Sequence, residues 1–323
     1  MSAPADSRRR VLVARILLPA GKELLAEECE VVEGGLDVSG ERLRELAPGV
    51  EAIVADPTVP VGDELLDAAG AGLRVVANFA VGYDNVDLEA CRRRGVAVTN
   101  TPGVLTNATA ELALALTLAA ARRTSEAERQ LRAGGWVGWD PGEHLGLELS
   151  GATFGVVGMG RIGRRYAELV VPLAGEILYA SRSRKADAER ALGATQVGLA
   201  ELLRRADVVS LHVPGSRETT HLVGASELRA MRSHAVLVNT ARGSLVDARA
   251  LAEALRAGEI GAAGLDVYEA EPSVPAGLLD APRCVLLPHI GSATRRARDA
   301  MARLAAENVL AALRGEEPPN RVA

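Results

Sequence analysis

Cysteine and aromatic residues are scarce in this chain of 323 residues, which holds three cysteines and 2% aromatic residues. Cys29, Cys91 and Cys284 are widely spaced and match no metal-ligand pattern. We therefore expect them to be small buried hydrophobic side chains in a reducing compartment. The sequence predicts neither a disulfide framework nor a metal site.

Long apolar runs and basic tracts are also missing. No window approaches the roughly eighteen apolar residues of a membrane span, and the apolar run near the N-terminus is broken by Arg15 with no cleavage site after it. The net charge is −5 and the arginines are scattered, so we expect no nucleic-acid partner. These absences predict a cytoplasmic protein with no membrane partner.

The composition, 48% hydrophobic and 24% charged, suits a globular protein with two cores. Short β-branched runs alternate with amphipathic segments, which is typical of βαβ units and a parallel sheet. The fold class is therefore α/β. The first section has predicted strands at 11–14, 50–56, 73–79 and 95–100, and the second has them at 153–158, 176–181, 207–213, 234–240, 261–267 and 284–288.

Two long segments have the composition of helices. One follows Pro102 and ends at Arg122 and Arg123, and the other follows the last strand and ends at Gly315. Their positions suggest that the chain crosses between two domains twice. The C-terminal residues would then pack on the first domain.

A glycine pattern follows one predicted strand. GVVGMGRIG places Gly158, Gly160 and Gly163 at the spacing G-x-G-x-x-G, between the apolar run 153–157 and a predicted helix over 161–173. In this context the pattern indicates dinucleotide binding, because the glycines allow a tight turn, close approach of a pyrophosphate and close helix packing. The helix N-terminus offers free N–H groups to the phosphates. A purely structural turn is the alternative.

The acid that bonds the ribose of NAD is missing at the end of the next strand. ILYASRSRK has Ser181 at that position, followed by Arg182, Ser183, Arg184 and Lys185. A carboxylate there would repel the 2′-phosphate of NADP by about 1 to 4 kcal/mol at roughly 4 Å. Arg182 could bind this phosphate instead, with Ser181 and Ser183 as hydroxyl donors. We predict that NADP is preferred and NAD possible; a solvated basic loop is the alternative.

Three polar residues follow three neighbouring predicted strands: Arg242, Glu271 and His289. Each alone could belong to a surface ion pair, but the ends of parallel strands can converge on one crevice. Arg242 would hold an α-carboxylate and polarise the adjacent carbonyl, and His289 would exchange the proton. Glu271 would orient and stabilise the imidazolium. The set suits hydride transfer between a nicotinamide and a hydroxyl or carbonyl carbon.

The order of these motifs resembles the D-isomer-specific 2-hydroxyacid dehydrogenase family. The resemblance rests on GVVGMGRIG, NTARGSLVD, GLDVYEAEP and LLPHIGSAT, and it extends over nearly the whole chain through ANFAVGYDNVD, TNTPGVLTNATAEL and LHVPGSRETTHLV. It implies two Rossmann-like, doubly wound domains and a homodimer. The flavodoxin-like split substrate domain would comprise 1–101 and 290–323, and the central NAD(P)-binding domain 102–289.

Carried over residue by residue, the resemblance makes Arg242, Glu271 and His289 catalytic. It implies substrate binding by the backbone at Ala80, Val81 and Gly82, together with the side chains of Arg242 and His289. The implied cofactor site comprises Thr106, Gly158, Met159, Gly160, Arg161, Ile162, Gly163, Ser181, Arg182, Ser183, His212, Val213, Pro214, Thr219, Asn239, Thr240, Ala241, Asp266 and Gly291.

Within the family, the chain is most similar to the glyoxylate/hydroxypyruvate reductases, which commonly use NADPH. The similarity includes GYDN, SRSRK and the pair Trp136 and Trp139, of which Trp139 is a candidate substrate contact from a partner subunit. We expect a reductase of small 2-oxo acids to D-2-hydroxy acids. The alternatives are a dehydrogenase for a bulkier 2-oxo acid and a catalytically silent NAD(P)-sensing protein on the same fold.

Overall fold

The computed structural model describes residues 8–323. The chain forms two compact units, of which unit 1 extends to Leu105 and includes Ser292–Ala323, whereas unit 2 is the continuous segment Thr106–Gly291. The chain thus passes from one unit to the other twice, once after Leu105 and once after Gly291. Within residues 8–323, no helix is long and apolar enough to cross a bilayer.

Unit 1 contains five strands and five helices in its described residues. The strands are β1 (Arg9–Val13), β2 (Cys29–Glu33), β3 (Ala52–Ala55), β4 (Val75–Asn78) and β5 (Ala97–Thr99). The helices are α1 (Pro19–Ala26), α2 (Gly40–Leu46), α3 (Asp63–Ala69), α4 (Leu88–Arg93) and, from the end of the chain, α13 (Arg295–Arg314).

The sheet of unit 1 is parallel, in the order β2-β1-β3-β4-β5, which is the flavodoxin-like order. One face packs on α2, α3 and α4, and the other packs on α1 and α13. A Cβ on Gly21 of α1 would lie 2.3 Å from the carbonyl oxygen of Ala302, so only glycine permits this close approach of α1 and α13. The C-terminal helix is therefore part of the first unit's core.

The final residues of the chain cover the edge of this sheet. The N–H of Val98 in β5 donates to the carbonyl oxygen of Ala323 (2.9 Å), and the N–H of Val322 donates to that of Val98 (2.8 Å). An uncovered strand edge offers unpaired backbone groups to other chains. Here the C-terminal residues use those groups.

Unit 2 contains the remaining elements. Its strands are β6 (Ala152–Val157), β7 (Ala174–Ala180), β8 (Thr195–Gln196), β9 (Val208–Leu211), β10 (Val236–Asn239), β11 (Ala262–Leu265) and β12 (Cys284–Leu286). Its helices are α5 (Thr106–Ala121), α6 (Thr124–Arg132), α7 (Arg161–Val170), α8 (Ala186–Leu192), α9 (Leu199–Arg205), α10 (Ala225–Ala230), α11 (Ala248–Ala257) and α12 (Ala276–Leu279), with a 3₁₀ turn at Gly243–Leu245.

The seven strands of unit 2 form a parallel sheet in the order β12-β11-β10-β9-β6-β7-β8. Two apolar clusters cover its two faces, as expected of a doubly wound sheet. The strand order reverses between β6 and β9. In sheets of this kind ligands bind at the carboxyl ends of the strands near that reversal.

All ten predicted strands are present, and seven of them are shorter than predicted, the exceptions being β1, β6 and β7. The sequence reading missed β2, whose segment CEVVE contains partly exposed acidic residues, and the two-residue strand β8. Both lie at sheet edges, where the apolar pattern is weak because only part of the strand is buried. The two long helices are present. Helix α5 begins at Thr106, four residues after Pro102, and ends at Ala121, just before the predicted end at Arg122 and Arg123. Helix α13 ends at Arg314 and is followed by Gly315, whose φ of 79° is readily adopted by glycine.

Candidate active site

The predicted cofactor and catalytic residues of unit 2 lie almost entirely at the carboxyl ends of its strands. The segment from Gly158 to Gly163 follows β6, Ser181–Ser183 follows β7, His212–Pro214 follows β9, Thr240–Arg242 follows β10, Asp266 follows β11, and His289 and Gly291 follow β12. Thr106 is the first residue of α5, and Asn239 is the last residue of β10. Glu271 lies in the loop between β11 and α12.

The glycine turn after β6 requires glycine at two positions for packing. Gly158 has φ of 96°, and a Cβ there would lie 2.7 Å from the carbonyl carbon and oxygen of His212. A Cβ on Gly163 would lie 2.0 Å from the carbonyl oxygen of Gly158. These two glycines therefore allow β6, α7 and the end of β9 to approach closely.

Gly160 differs from the other two because its Cβ position has no protein atom within 4 Å. It is the N-cap of α7 and supplies no side-chain cap, so the first N–H groups of the helix keep their hydrogen-bonding capacity. Open space beside a bare helix N-terminus fits a pyrophosphate. The turn thus has the shape and the donors that a dinucleotide needs, with Met159 buried and Arg161 and Ile162 opening the helix.

The basic loop after β7 is held by a tyrosine and a glutamate. The Tyr179 hydroxyl donates to Glu189 (2.8 Å) and accepts the N–H of Lys185 (2.8 Å), while the Arg184 guanidinium pairs with both carboxylate oxygens of Glu189. The hydrogen bonds from Arg184 and Tyr179 lower the pKa of the Glu189 carboxyl. Arg182 is exposed and makes no hydrogen bond or ion pair within residues 8–323.

His212 has an enclosed ring, although the residue as a whole is partly exposed. Its ring centroid lies 5.2 Å from that of Tyr166, and its Nε2 lies 2.9 Å from the Ser210 hydroxyl. Loss of water around the ring lowers the pKa of His212 to about 3, so this histidine is neutral at physiological pH. It supports the glycine turn through its backbone, and its chemistry does not suit proton exchange near pH 7.

The loop after β9 and the turn after β10 are shaped by side-chain hydrogen bonds. Thr219 donates to the carbonyl oxygen of Pro214 (2.9 Å). Buried Asn239 accepts the N–H of Ala241 (3.0 Å) and donates to the carbonyl oxygen of Arg242 (2.8 Å). The guanidinium of Arg242 bonds the carbonyl oxygen of Ala241 (2.9 Å). The amide of Asn239 thereby fixes the turn that carries Arg242.

Glu271 and His289 form a direct pair. Nδ1 of His289 lies 2.6 Å from Oε2 of Glu271, and the backbone N–H of Tyr268 donates to Oε1 (2.9 Å). Burial by itself would raise the pKa of Glu271, but the hydrogen bonds from His289 and Tyr268 and the charges of His289 and Arg242 lower it overall. Because Nδ1 is engaged, Nε2 is the ring atom left to exchange a proton with another molecule.

Asp266 holds the backbone next to His289. It is fully buried and accepts the N–H groups of Ile290 and Gly291, at 2.7 Å each, and its own carbonyl oxygen accepts the N–H of His289 (2.9 Å). Burial is the largest influence on Asp266 and raises its pKa. His289 has φ of 52°, an uncommon conformation for a residue other than glycine, and these bonds maintain it.

The predicted substrate residues of unit 1 lie after β4. Ala80, Val81 and Gly82 form a loop in which neither Val81 nor Gly82 donates its N–H to an acceptor within residues 8–323. Trp139 is elsewhere, in unit 2, on the segment between α6 and β6, with 85% of its surface exposed. The structure of a single chain does not bring Trp139 to the other predicted residues of unit 2.

Sequence reasoning missed residues that act on the site through distant partners. Tyr268 donates its hydroxyl to the carbonyl oxygen of Leu287 (3.0 Å) and its N–H to Glu271, and so links the Glu271 loop to the residues just before His289. Glu189 was missed because its partner Arg184 lies in the preceding loop. No local pattern identifies the bond between Tyr268 and Leu287, whereas an acid five residues after Arg184 was a usable signal for Glu189.

Unit 2 combines a seven-stranded doubly wound sheet and a dinucleotide turn with an arginine, a glutamate and a histidine at neighbouring strand ends. This combination defines a class of protein, the nicotinamide-dependent oxidoreductases. Sequence comparison agrees, because the family model described as D-isomer specific 2-hydroxyacid dehydrogenase, NAD binding domain, matches residues 114–291. The chain belongs to the D-isomer specific 2-hydroxyacid dehydrogenase family and is an NAD(P)-dependent oxidoreductase.

Similar proteins cover nearly the whole chain. A glyoxylate reductase of Thermococcus litoralis is 49% identical over 286 residues, which are 87% of this chain and 85% of that protein. A glyoxylate reductase of Aeropyrum pernix is 48% identical over 322 residues, covering 98% and 96%. The solved NADPH-dependent glyoxylate/hydroxypyruvate reductase of Sinorhizobium meliloti, in complex with NADP and malonate, is 38% identical with a TM-score of 0.85, covering 98% and 97%.

Proposed function

We propose that this protein reduces glyoxylate to the corresponding 2-hydroxy acid, with NADPH as the preferred cofactor and hydroxypyruvate as a second substrate. The observation that carries the proposal is the pair formed by Glu271 and His289 beside Arg242 at the carboxyl edge of the unit 2 sheet. The similar proteins named above support the choice of substrate. The cytoplasmic location stays a prediction.

The proton in this reaction passes through His289. Glu271 binds Nδ1 and keeps the ring oriented, so the charged imidazole donates from Nε2 to the substrate's carbonyl oxygen during reduction and accepts a proton there in the reverse direction. The nicotinamide, when bound, supplies the hydride that reduces the carbonyl carbon.

The substrate's carboxylate needs donors. In our proposal the guanidinium of Arg242 binds the carboxylate and polarises the neighbouring carbonyl, since an arginine can bind a carboxylate through two parallel hydrogen bonds. The N–H groups of Val81 and Gly82, which have no acceptor within residues 8–323, supply further donors. These are the roles that the family resemblance implies.

The preference for NADPH rests on the loop after β7. Ser181 leaves the position of the usual acid uncharged, and Arg182 is exposed and without a partner in the described chain. Arg184 is already paired with Glu189, so Arg182 is the arginine that we assign to the 2′-phosphate. The cofactor residues named from the sequence are proposed to bind the remainder of the dinucleotide, with the pyrophosphate at Gly160.

We also propose a homodimer. Trp136, Val137 and Trp139 are 63%, 100% and 85% exposed in a chain with few aromatic residues, and such groups commonly become buried in subunit interfaces. A second copy is the partner that the family resemblance implies, and Trp139 is proposed to reach its substrate site. Sedimentation equilibrium of the purified protein measures this directly.

The decisive experiment is a steady-state comparison of NADPH and NADH oxidation with glyoxylate, hydroxypyruvate, pyruvate and a branched 2-oxo acid. We expect the highest kcat/KM for glyoxylate with NADPH. A preference for the branched acid would favour a dehydrogenase for bulkier substrates, and no turnover with any of them would favour an NAD(P)-sensing protein.

His289→Ala tests the assignment of the acid. Its removal should lower kcat by about 10²- to 10⁴-fold, the usual contribution of general acid catalysis, while the Kd for NADPH stays within a factor of about two. Stopped-flow turnover and fluorescence titration measure the two quantities. Wild-type turnover in this variant would remove His289 from the mechanism.

A further inference from the structure

The loop Ala80–Gly82 has its three carbonyl oxygens bound by donors of unit 1. The carbonyl of Ala80 accepts the N–H of Thr101 (2.9 Å), that of Val81 accepts Nδ2 of Asn100 (2.8 Å), and that of Gly82 accepts Nδ2 of Asn78 (2.7 Å). Every one of these successive carbonyls is therefore fixed, two of them by asparagine side chains.

Fixing a carbonyl also fixes the next N–H group. In a planar trans peptide the C=O of one residue and the N–H of the next point in opposite directions. The bonds to Ala80 and Val81 therefore turn the N–H groups of Val81 and Gly82 away from Thr101 and Asn100. Adjacent N–H groups on one side of a loop form a concave site for an anion.

The two asparagines are themselves held firmly. Asn78 is fully buried and Asn100 is 8% exposed. Asn85 donates to Oδ1 of Asn78 (3.1 Å) and to the carbonyl oxygens of Asp56 (3.0 Å) and Val59 (2.9 Å), and Nδ2 of Asn308 in α13 approaches the carbonyl oxygen of Asn100 (3.4 Å). An amide left without its partners in such a setting is costly, which makes its orientation well defined.

We propose that Asn78 and Asn100 are positioning residues for the substrate's carboxylate. Asn100 sets the peptide that carries the N–H of Gly82, and Asn78 holds the carbonyl of Gly82 and so anchors the end of the loop. Neither residue needs contact with the substrate. The inference rests on the proposed function, because it assumes that the ligand of this loop is a 2-oxo acid. It adds that the strength of carboxylate binding depends on two amide donors behind the loop.

The test compares Asn100→Asp with Asn320→Asp. Aspartate at position 100 has the shape of asparagine but cannot donate to the carbonyl of Val81. Asn320 belongs to the same unit and accepts Nδ2 of Asn308 through Oδ1 (3.4 Å), so Asn320→Asp adds the same charge and keeps its acceptor. Asn78→Asp removes the donor to Gly82 and serves as the second variant if Asn100→Asp does not fold.

Oxalate, which is not reduced, is the binding probe, and its Kd is measured by calorimetry with NADPH present. In Asn100→Asp we expect the Kd for oxalate and the KM for glyoxylate to rise by about tenfold or more, with kcat changed less than about threefold. Hydrogen exchange of a peptide covering residues 79–85 should slow on oxalate binding in the wild type and not in the variant. Asn320→Asp should match the wild type throughout.

Unchanged oxalate binding in both Asn100→Asp and Asn78→Asp would overturn the proposal. A parallel loss of NADPH binding and of Tm would also overturn it, because that pattern indicates general damage to the fold. If the wild type binds oxalate, the variants lose it and no glyoxylate is reduced, then the proposed substrate is wrong and the positioning role stands. If the wild type does not bind oxalate, the positioning role of Asn78 and Asn100 is refuted.

Discussion

At the residue scale, two arginines of one loop have different contacts although they are only two positions apart. Arg184 is bound by Glu189, whose second hydrogen-bond donor is Tyr179, whereas Arg182, also exposed, makes no hydrogen bond or ion pair within residues 8–323. The paired arginine stabilises the loop and the unpaired one is available to an anion. From the sequence alone, both arginines and Lys185 are candidates for the phosphate contact. Glu189, which binds Arg184 and so distinguishes the two arginines, lies on the following helix.

Arg182→Ala should therefore weaken NADPH binding about 10- to 100-fold, the loss expected for a hydrogen bond to a charged group, and leave NADH nearly unaffected. The Kd for each cofactor is obtained by fluorescence titration. Arg190→Ala, at an exposed arginine on α8, removes the same charge and is the matched control. Equal weakening of NADPH and NADH by Arg182→Ala would refute the phosphate contact.

The lowered pKa of Glu271 gives a prediction for stability against pH. The unfolded chain has the ordinary value of about 4.3. Because the folded value is lower, the stabilisation from this carboxylate is fully present above the unfolded pKa and is lost as pH falls through the folded one. The difference in unfolding free energy between wild type and Glu271→Gln should therefore shrink as pH falls below about 4. Denaturant titrations across this range measure it; a difference that grows on acidification would contradict the assignment.

At the scale of elements, the strand ends could be predicted well because the strands of unit 2 other than β8 are mainly apolar runs whose polar successors are visible in the sequence. That is how Arg242 and His289 were found. The supports of the site could not be predicted in this way. Asn100 binds the carbonyl of Val81 and Tyr268 binds that of Leu287, and both bonds join residues that meet only after folding. The edge strands were missed for a related reason, since partial burial leaves a weak pattern.

In the glycine turn between β6 and α7, packing and cofactor binding depend on different residues: Gly163 is needed for packing, and Gly160 lies where we propose that the pyrophosphate binds. Gly163→Ala places a Cβ 2.0 Å from a carbonyl oxygen, so we expect a cost of about 1 to 3 kcal/mol and a Tm lower by several degrees. Gly160→Ala places its Cβ in open space at φ of −80°, so the free protein should keep its Tm.

NADPH should raise the Tm of the wild type and fail to raise that of Gly160→Ala, because the new methyl group occupies the space proposed for the pyrophosphate. Thermal unfolding with and without NADPH measures both variants. An equal increase in Tm for Gly160→Ala and wild type would place the pyrophosphate elsewhere.

At the scale of the whole molecule, the chain is organised as one continuous unit inserted into a discontinuous one. The first 105 residues contain all five strands of the unit 1 sheet, but the face formed by residues such as Val13, Val54 and Val75 is buried by α13. Residues 322 and 323 complete the edge at Val98. The core of unit 1 is thus assembled from the two ends of the chain.

This arrangement sets an order of events during synthesis. Domains usually fold in the order in which they leave the ribosome, but unit 2 can close as soon as Gly291 has emerged, whereas the apolar face of unit 1 waits for α13. A ribosome-stalled chain from which Gly291 has just emerged should yield a protease-resistant fragment from unit 2 and none from the first 105 residues, and release of the full chain should protect both. Resistance of the first 105 residues in the stalled chain would show that they fold without α13. On this account the first part of the protein to be made is the last to finish folding, and one apolar face of its sheet stays uncovered in the interval.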